Sequence, residues 1–270
     1  MQNSLKHHAR KRFGQNFLQD LRVIDRIIHS ITPKTEDKLI EIGPGMGALT
    51  APLLKACPNL QAIEIDRDLI PGLLVQFAKY PSFKIHREDA LTFDFSKLTN
   101  QKTLRIVGNL PYNISTPLIF HLLSFQHLIR DMHFMLQHEV AERLTAKPGN
   151  KHHGRLSLMV QYYCQIDYLF AVPPECFIPK PKVNSAIVRM IPYQTLPHPA
   201  DNYEHLKQLI STVFQQRRKT LSNSLKPLLS KDLIEKLPID LRLRPENLSL
   251  EDYVKLSNFI THALNRLHSQ

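Results

Sequence analysis

From residue 38 to about residue 137 the chain alternates short apolar runs with amphipathic stretches, and no other feature constrains the fold as much. Lys38-Leu39-Ile40-Glu41, Gln61-Ala62-Ile63-Glu64-Ile65 and Phe83-Lys84-Ile85-His86 read as three strands. Arg105-Ile106-Val107 and Met132-His133-Phe134-Met135-Leu136 read as two more. Helical spacing fills most of the gaps, as from Ala48 to Ala56 and from Asp68 to Lys79. Strands that alternate with helices form a mainly parallel sheet with both faces covered. The expectation is a doubly wound, Rossmann-like α/β fold. Past about residue 165 the pattern changes. Ile166 to Val172 and Ser185 to Ile191 read as strands joined by a proline-rich connection without a crossover helix, which predicts a final antiparallel hairpin. Thr195 to Ala200 reads as a linker, and beyond it apolar residues fall at helical spacing, as at Leu206, Leu209, Ile210 and Val213. The predicted division is a large domain over 1–194 and a small all-helical domain over 195–270.

Partners are constrained by charge. The chain of 270 residues carries a formal net charge of +11, which favours a polyanionic partner, nucleic acid above all. Nothing approaches the ~18 consecutive apolar residues that a membrane helix needs. Met1 to Arg12 is basic and polar with no apolar segment after it, so it does not read as a secretory signal. The three cysteines, Cys57, Cys164 and Cys176, are far apart and fit neither a disulfide framework nor a zinc cluster. A reducing cytoplasm is the expected location. Basic residues gather at Lys11 and Arg12 and again at Arg217-Arg218-Lys219, where phosphate contacts are expected. The histidines, including His7-His8 and His152-His153, show no metal-binding spacing and read as surface residues or RNA contacts.

Glu41-Ile42-Gly43-Pro44-Gly45-Met46-Gly47-Ala48 follows the first strand. Glycines at such a turn let the backbone approach a ligand closely. Some twenty residues beyond Gly43, Glu64 ends the second strand, where a carboxylate can accept hydrogen bonds from both ribose hydroxyls. This much specifies a nucleoside cofactor, and the glycine spacing also satisfies a dinucleotide fingerprint, so a dehydrogenase stays open. Asp89-Ala90 follows the third strand and offers an acceptor for an adenine amino group. After the fourth strand comes Gly108-Asn109-Leu110-Pro111-Tyr112-Asn113, an amide, a backbone carbonyl made rigid by proline, and an aromatic face. Those three groups are what an exocyclic amino group of a base needs while a methyl group is placed on it. The order of these four elements is the layout of an S-adenosylmethionine-dependent methyltransferase. A non-enzymatic RNA-binding protein on the same scaffold is the other alternative.

The chain resembles the bacterial small-subunit ribosomal RNA adenine dimethyltransferases over nearly its full length. The resemblance rests on Lys11-Arg12-Phe13-Gly14-Gln15-Asn16-Phe17-Leu18, the glycine turn, Glu64-Ile65-Asp66, Asp89-Ala90 and Gly108 to Asn113. It continues through Phe177-Ile178-Pro179-Lys180-Pro181-Lys182-Val183-Asn184-Ser185 to Gln216-Arg217-Arg218-Lys219-Thr220. It implies dimethylation of two adjacent adenosines in small-subunit RNA, within an assembling particle, by a monomer using S-adenosyl-L-methionine. It also implies that Asn16 and Leu18 cover the cofactor, that Gly43 and Gly45 contact its amino-acid portion, and that Glu64 holds the ribose. Asp89 and Ala90 then face the adenine, and Asn109 the methyl-transfer end. Tyr112 stacks on the target base, and Phe177, in a segment expected to be stiff and exposed, closes its other face.

Overall fold

The computed structural model describes residues 16–268. The strands are β1 (Phe17–Leu18), β2 (Lys38–Ile42), β3 (Gln61–Ile63), β4 (Lys84–His86), β5 (Leu104–Asn109), β6 (Ile129–Gln137), β7 (Cys164–Val172), β8 (Phe177–Ile178) and β9 (Ser185–Pro192). The helices are α1 (Leu21–Ile31), α2 (Thr50–Ala56), α3 (Ile70–Gln76), α4 (Ser115–Leu123) and α5 (His138–Thr145). After them come α6 (Arg155–Gln161), α7 (Tyr203–Gln215), α8 (Leu221–Leu225), α9 (Lys231–Glu235) and α10 (Leu250–His268).

Seven strands form one sheet in the order β4-β3-β2-β5-β6-β9-β7, and β1 and β8 make a separate antiparallel pair. The pairs from β4 to β6 are parallel. β9 lies antiparallel to β6, with β7 beside it at the edge. The five expected strands are present, each within a few residues of its expected bounds. The central ones bury almost every side chain, as strands covered on both faces must.

β5 is locked at both ends. At its start, the buried Arg105 guanidinium donates to Asp37 at 2.6 Å, to Asp131 at 3.0 Å and to the Ile31 carbonyl at 2.6 Å. Burial alone would raise the Asp37 carboxyl, but hydrogen bonds from Arg105 and the Lys34 amide hold it below its ordinary value. At the other end Gly108 lies against Ile42 of β2. A Cβ there would sit 2.7 Å from the Ile42 carbonyl oxygen, a distance that backbone cannot relieve cheaply.

The chain divides into two compact units. One comprises residues up to 141 with 165–192 and holds the sheet; the other comprises 142–164 with 193–270 and is helical. The division expected near residue 194 falls at 192/193, and the helical unit also takes in 142–164, which the sequence pattern had grouped with the sheet. The reason is packing: Leu158, Met159 and Tyr162 belong to the same core as Leu206, Leu209, Val213 and Tyr253.

Gly108→Ala is expected to destabilise the fold by ~1–3 kcal/mol through the contact with Ile42. Gly72→Ala, in α3 with open space at its Cβ, is expected to be neutral or to stabilise by a few tenths to ~1 kcal/mol. Urea denaturation of both variants checks the contrast.

Candidate active site

A cavity of about 250 Å³ opens at the carboxyl ends of β2, β3 and β5. Its floor is the glycine turn. Gly43 and Gly45 have φ of 67° and 58°, in the left-handed region that side chains resist. At Gly45 a Cβ would also come within 3.2 Å of the Phe17 ring, which would have to give way.

Carboxylates line one side. Glu64 is aimed by two backbone amides: Asp66 N–H reaches Oε1 at 2.8 Å and Gly45 N–H reaches Oε2 at 3.3 Å. Each oxygen keeps a lone pair for a further donor. Burial pushes the Glu64 carboxyl up, against the pull of those amides. Asp89 is half-buried and accepts the Leu91 amide on Oδ1 at 2.9 Å, which leaves Oδ2 as an acceptor toward the cavity. Glu41 is 2% exposed and takes a 2.7 Å hydrogen bond from the Thr50 hydroxyl. Its pKa is raised to about 7, chiefly by burial, partly offset by Thr50 and reinforced by the nearby Glu64.

The Asn109 to Tyr112 loop lines the cavity with the glycine turn and Asp89. Asn109 Nδ2 donates to the Asn16 carbonyl at 3.0 Å, so its Oδ1 is left as the acceptor. Leu110 N–H donates to the Met135 carbonyl of β6 at 3.1 Å, and the Ser115 hydroxyl donates to the Tyr112 carbonyl at 3.2 Å. The Tyr112 hydroxyl pairs with that of Ser185 at 2.8 Å.

Asn16, Leu18, Gly43, Gly45, Glu64, Asp89, Ala90, Asn109, Leu110, Pro111 and Tyr112 therefore meet at one cavity. Phe177 does not. It is 3% exposed and packs with Leu18, Val172 and Ile187, whereas its neighbour Ile178 is 58% exposed. This corrects the expectation of an exposed stacking ring. β8 pairs with β1, Leu18 opposite Phe177, and the alternation of a strand turns Phe177 inward and Ile178 outward. His153 is corrected likewise: it is buried, with ring nitrogens 3.1 Å from the carbonyls of Ala146 and Leu248. Lys11, Arg12 and His7-His8 lie outside the described residues. In the helical unit, Arg217 is held by Glu246 at 2.7 Å and by the Lys151 carbonyl, while Arg218 and Lys219 are exposed. Among the lining residues that had no expected role are Phe17, Glu41 and Met46. Phe17 sits beside Asn16, Glu41 lies one residue before the end of β2, and Met46 lies within the glycine turn. Their proximity to assigned residues was the available signal.

The family described as "Ribosomal RNA adenine dimethylase" matches residues 6–262. The chain belongs to this family. It is 62% identical over 253 residues to "Ribosomal RNA small subunit methyltransferase A" of Saccharophagus degradans, covering 93% of this chain and 94% of that one. It is 56% identical over 262 residues to the protein of that name from Pseudomonas syringae pv. tomato, covering 97% and 98%. Among solved structures, a dimethyladenosine transferase from Plasmodium falciparum superposes with a TM-score of 0.74 at 28% identity, over 89% of this chain and 95% of that one. The 23S rRNA methyltransferase ErmE shares the fold, with a TM-score of 0.73 at 22% identity over 91% and 100%. The methyl donor is S-adenosyl-L-methionine, and the cavity fits it. Gly43 and Gly45 leave room for a flexible amino-acid chain, the twice-anchored Glu64 keeps acceptors that suit vicinal hydroxyls, and the carboxylates suit a cation.

Two measurements follow from the carboxylates. Glu64→Ala and Asp89→Ala are each expected to weaken S-adenosylmethionine binding by ~1.5–3 kcal/mol with RNA affinity unchanged, as read by calorimetric titration. Glu41 takes up its proton at about 7 in the folded chain against 4.5 as its ordinary value, so the folded state holds more protons between those values. Stability of the ligand-free protein therefore falls as pH rises from about 4.5 to 7 through this group. Glu41→Gln is expected to remove that fall, on the order of 3 kcal/mol, in denaturation curves at pH 5 and pH 8.

Proposed function

We propose that this chain transfers methyl groups from S-adenosyl-L-methionine to N6 of two adjacent adenosines near the 3′ end of small-subunit ribosomal RNA, dimethylating each. The observation that carries this reading is the Asn109 amide, with Oδ1 as its acceptor end, beside the Leu110-Pro111-Tyr112 backbone on the wall of the nucleoside cavity. The substrate is the RNA within an assembling small-subunit particle. The enzyme acts in the cytoplasm as a monomer.

When bound, S-adenosyl-L-methionine supplies an electrophilic sulfonium methyl. The chain's own task is to make a poor nucleophile attack it. The lone pair of adenine N6 is delocalised into the ring. Asn109 Oδ1 and the Leu110 carbonyl accept hydrogen bonds from its N–H groups and favour a pyramidal nitrogen whose lone pair is free. Tyr112 supports the ring by stacking. After transfer N6 is acidic, and solvent takes its proton without a dedicated base. The loop works by positioning and by dipoles fixed in advance. The target base is unstacked from its RNA to enter the cavity, so the favoured substrate is a looped or single-stranded element. Arg218 and Lys219 contact phosphates, and Arg217, braced by Glu246, holds its loop in place for them. A dehydrogenase would leave Asn109 to Tyr112 and the basic surface without a purpose.

Asn109→Ala is expected to slow single-turnover methylation of small-subunit particles by roughly 10²–10³, with RNA binding intact. Tyr112→Ala is expected to lose ~1–3 kcal/mol of base stacking in the same assay. Replacing Arg218 and Lys219 by alanine should flatten the log–log salt dependence of RNA binding by about two and leave cofactor affinity unchanged. An unaltered slope would show those side chains to be solvated surface only.

A further inference from the structure

The segment from Phe177 to Ser185 begins with a ring that faces the core. Its other end reaches the cavity wall. Ser185 opens β9 opposite Gln137 of β6, is 0% exposed, and places its hydroxyl 2.8 Å from that of Tyr112.

The Asn109 to Tyr112 loop is held by other bonds without this contact. Leu110 is tied to Met135, Asn109 to Asn16, and the Tyr112 carbonyl to Ser115. None of those bonds restrains the phenol ring. Tyr112 is half-buried and borders a cavity, so packing covers only part of it. Ser185, by contrast, belongs to the sheet. It stands in the antiparallel ladder with β6, and the His138 amide donates to the carbonyl of its neighbour Asn184 at 2.9 Å. A hydroxyl held by a rigid strand can fix the outer end of a ring whose inner end is fixed by a loop. Burial shields the bond from competing water and strengthens it.

We infer that Ser185 is a positioning residue for methyl transfer: its hydroxyl anchors the far end of the Tyr112 ring, so that the ring face stays turned to the target base. The inference rests on the reading of Asn109 to Tyr112 as the loop that holds the base. It assigns to the Phe177 segment two services to one cavity. β8 pairs with β1 and so holds Phe17 and Leu18 on the wall, and Ser185, at the segment's end, holds the ring.

The test is a double-mutant cycle on Ser185→Ala and Tyr112→Phe, with Tyr112→Ala beside it. Single-turnover methylation is measured at saturating S-adenosylmethionine and small-subunit particles, with calorimetric titration of the cofactor on each variant. Ser185→Ala and Tyr112→Phe are each expected to slow transfer roughly 3- to 10-fold, with cofactor affinity unchanged. The double variant should be no slower than the slower single one, because both remove the same bond. A structural role for Ser185 would not produce that coincidence. Wild-type rates for either single variant, or a double variant slowed by the product of the two, would overturn the inference. If Ser185→Ala does not fold, Tyr112→Phe decides alone, since it removes the bond and leaves β9 untouched. Tyr112→Ala separates the two levels. Its slowing beside unaffected Ser185→Ala and Tyr112→Phe rejects the anchor only, whereas a wild-type rate for Tyr112→Ala rejects the base-holding loop as well.

Discussion

Everything at the cavity follows from one contact, the parallel pairing of Ile42 in β2 with Gly108 in β5. With a side chain at position 108 the two strands could not lie this close. β2 has β3 on its other side, so the chain order reverses at this point, and the crevice at the carboxyl ends of the strands opens there. The glycine turn continues from β2, Glu64 follows β3, and Asn109 ends β5. The glycine turn, Glu64 and Asn109 are thereby brought to one cavity by strand order alone. The Arg105 network secures the opposite end of β5, where Arg105 and Arg130 face Asp37 and Asp131.

Electrostatics divides the molecule's tasks. The chain is strongly basic overall, yet the cavity wall carries Glu41, Glu64 and Asp89. A phosphate backbone is drawn to the exposed lysines and arginines and kept out of an acidic crevice. A cationic donor is favoured inside it. The same chain thus attracts a polyanion and a cation without either occupying the other's place.

The sheet and the cavity were legible because their signals are local. A buried parallel strand is a short apolar run, and a ligand-binding group lies just after it, so Gly43, Glu64, Asp89 and Asn109 could be found by counting from strand ends. What escaped had no local signal. β1 and β8 are two residues each, too short for any periodicity, and their pairing alone decides that Phe177 faces inward and Ile178 outward. Leu156, Leu158, Met159 and Val160 are apolar whichever core they join, so nothing in their spacing says that 142–164 packs with the helical unit. His153 looks polar and exposed in sequence, and only the carbonyls of Ala146 and the distant Leu248 give it a buried place.

The position of β9 bears on how the protein is made. β9 lies between β6 and β7, although the chain visits the helical unit after β6 and makes β7 before it makes β9. During synthesis β6 therefore waits with one edge unpaired until about 55 further residues have emerged, ~3–10 s at roughly 5–20 residues per second. An open strand edge of this kind invites wrong pairing. β6 is also the strand whose Met135 carbonyl holds Leu110, and β9 is the one that brings Ser185. The Asn109 to Tyr112 loop therefore acquires its supports late, and a chain that has not yet emerged as far as residue 192 has the glycine turn in place but Tyr112 not yet tied to Ser185.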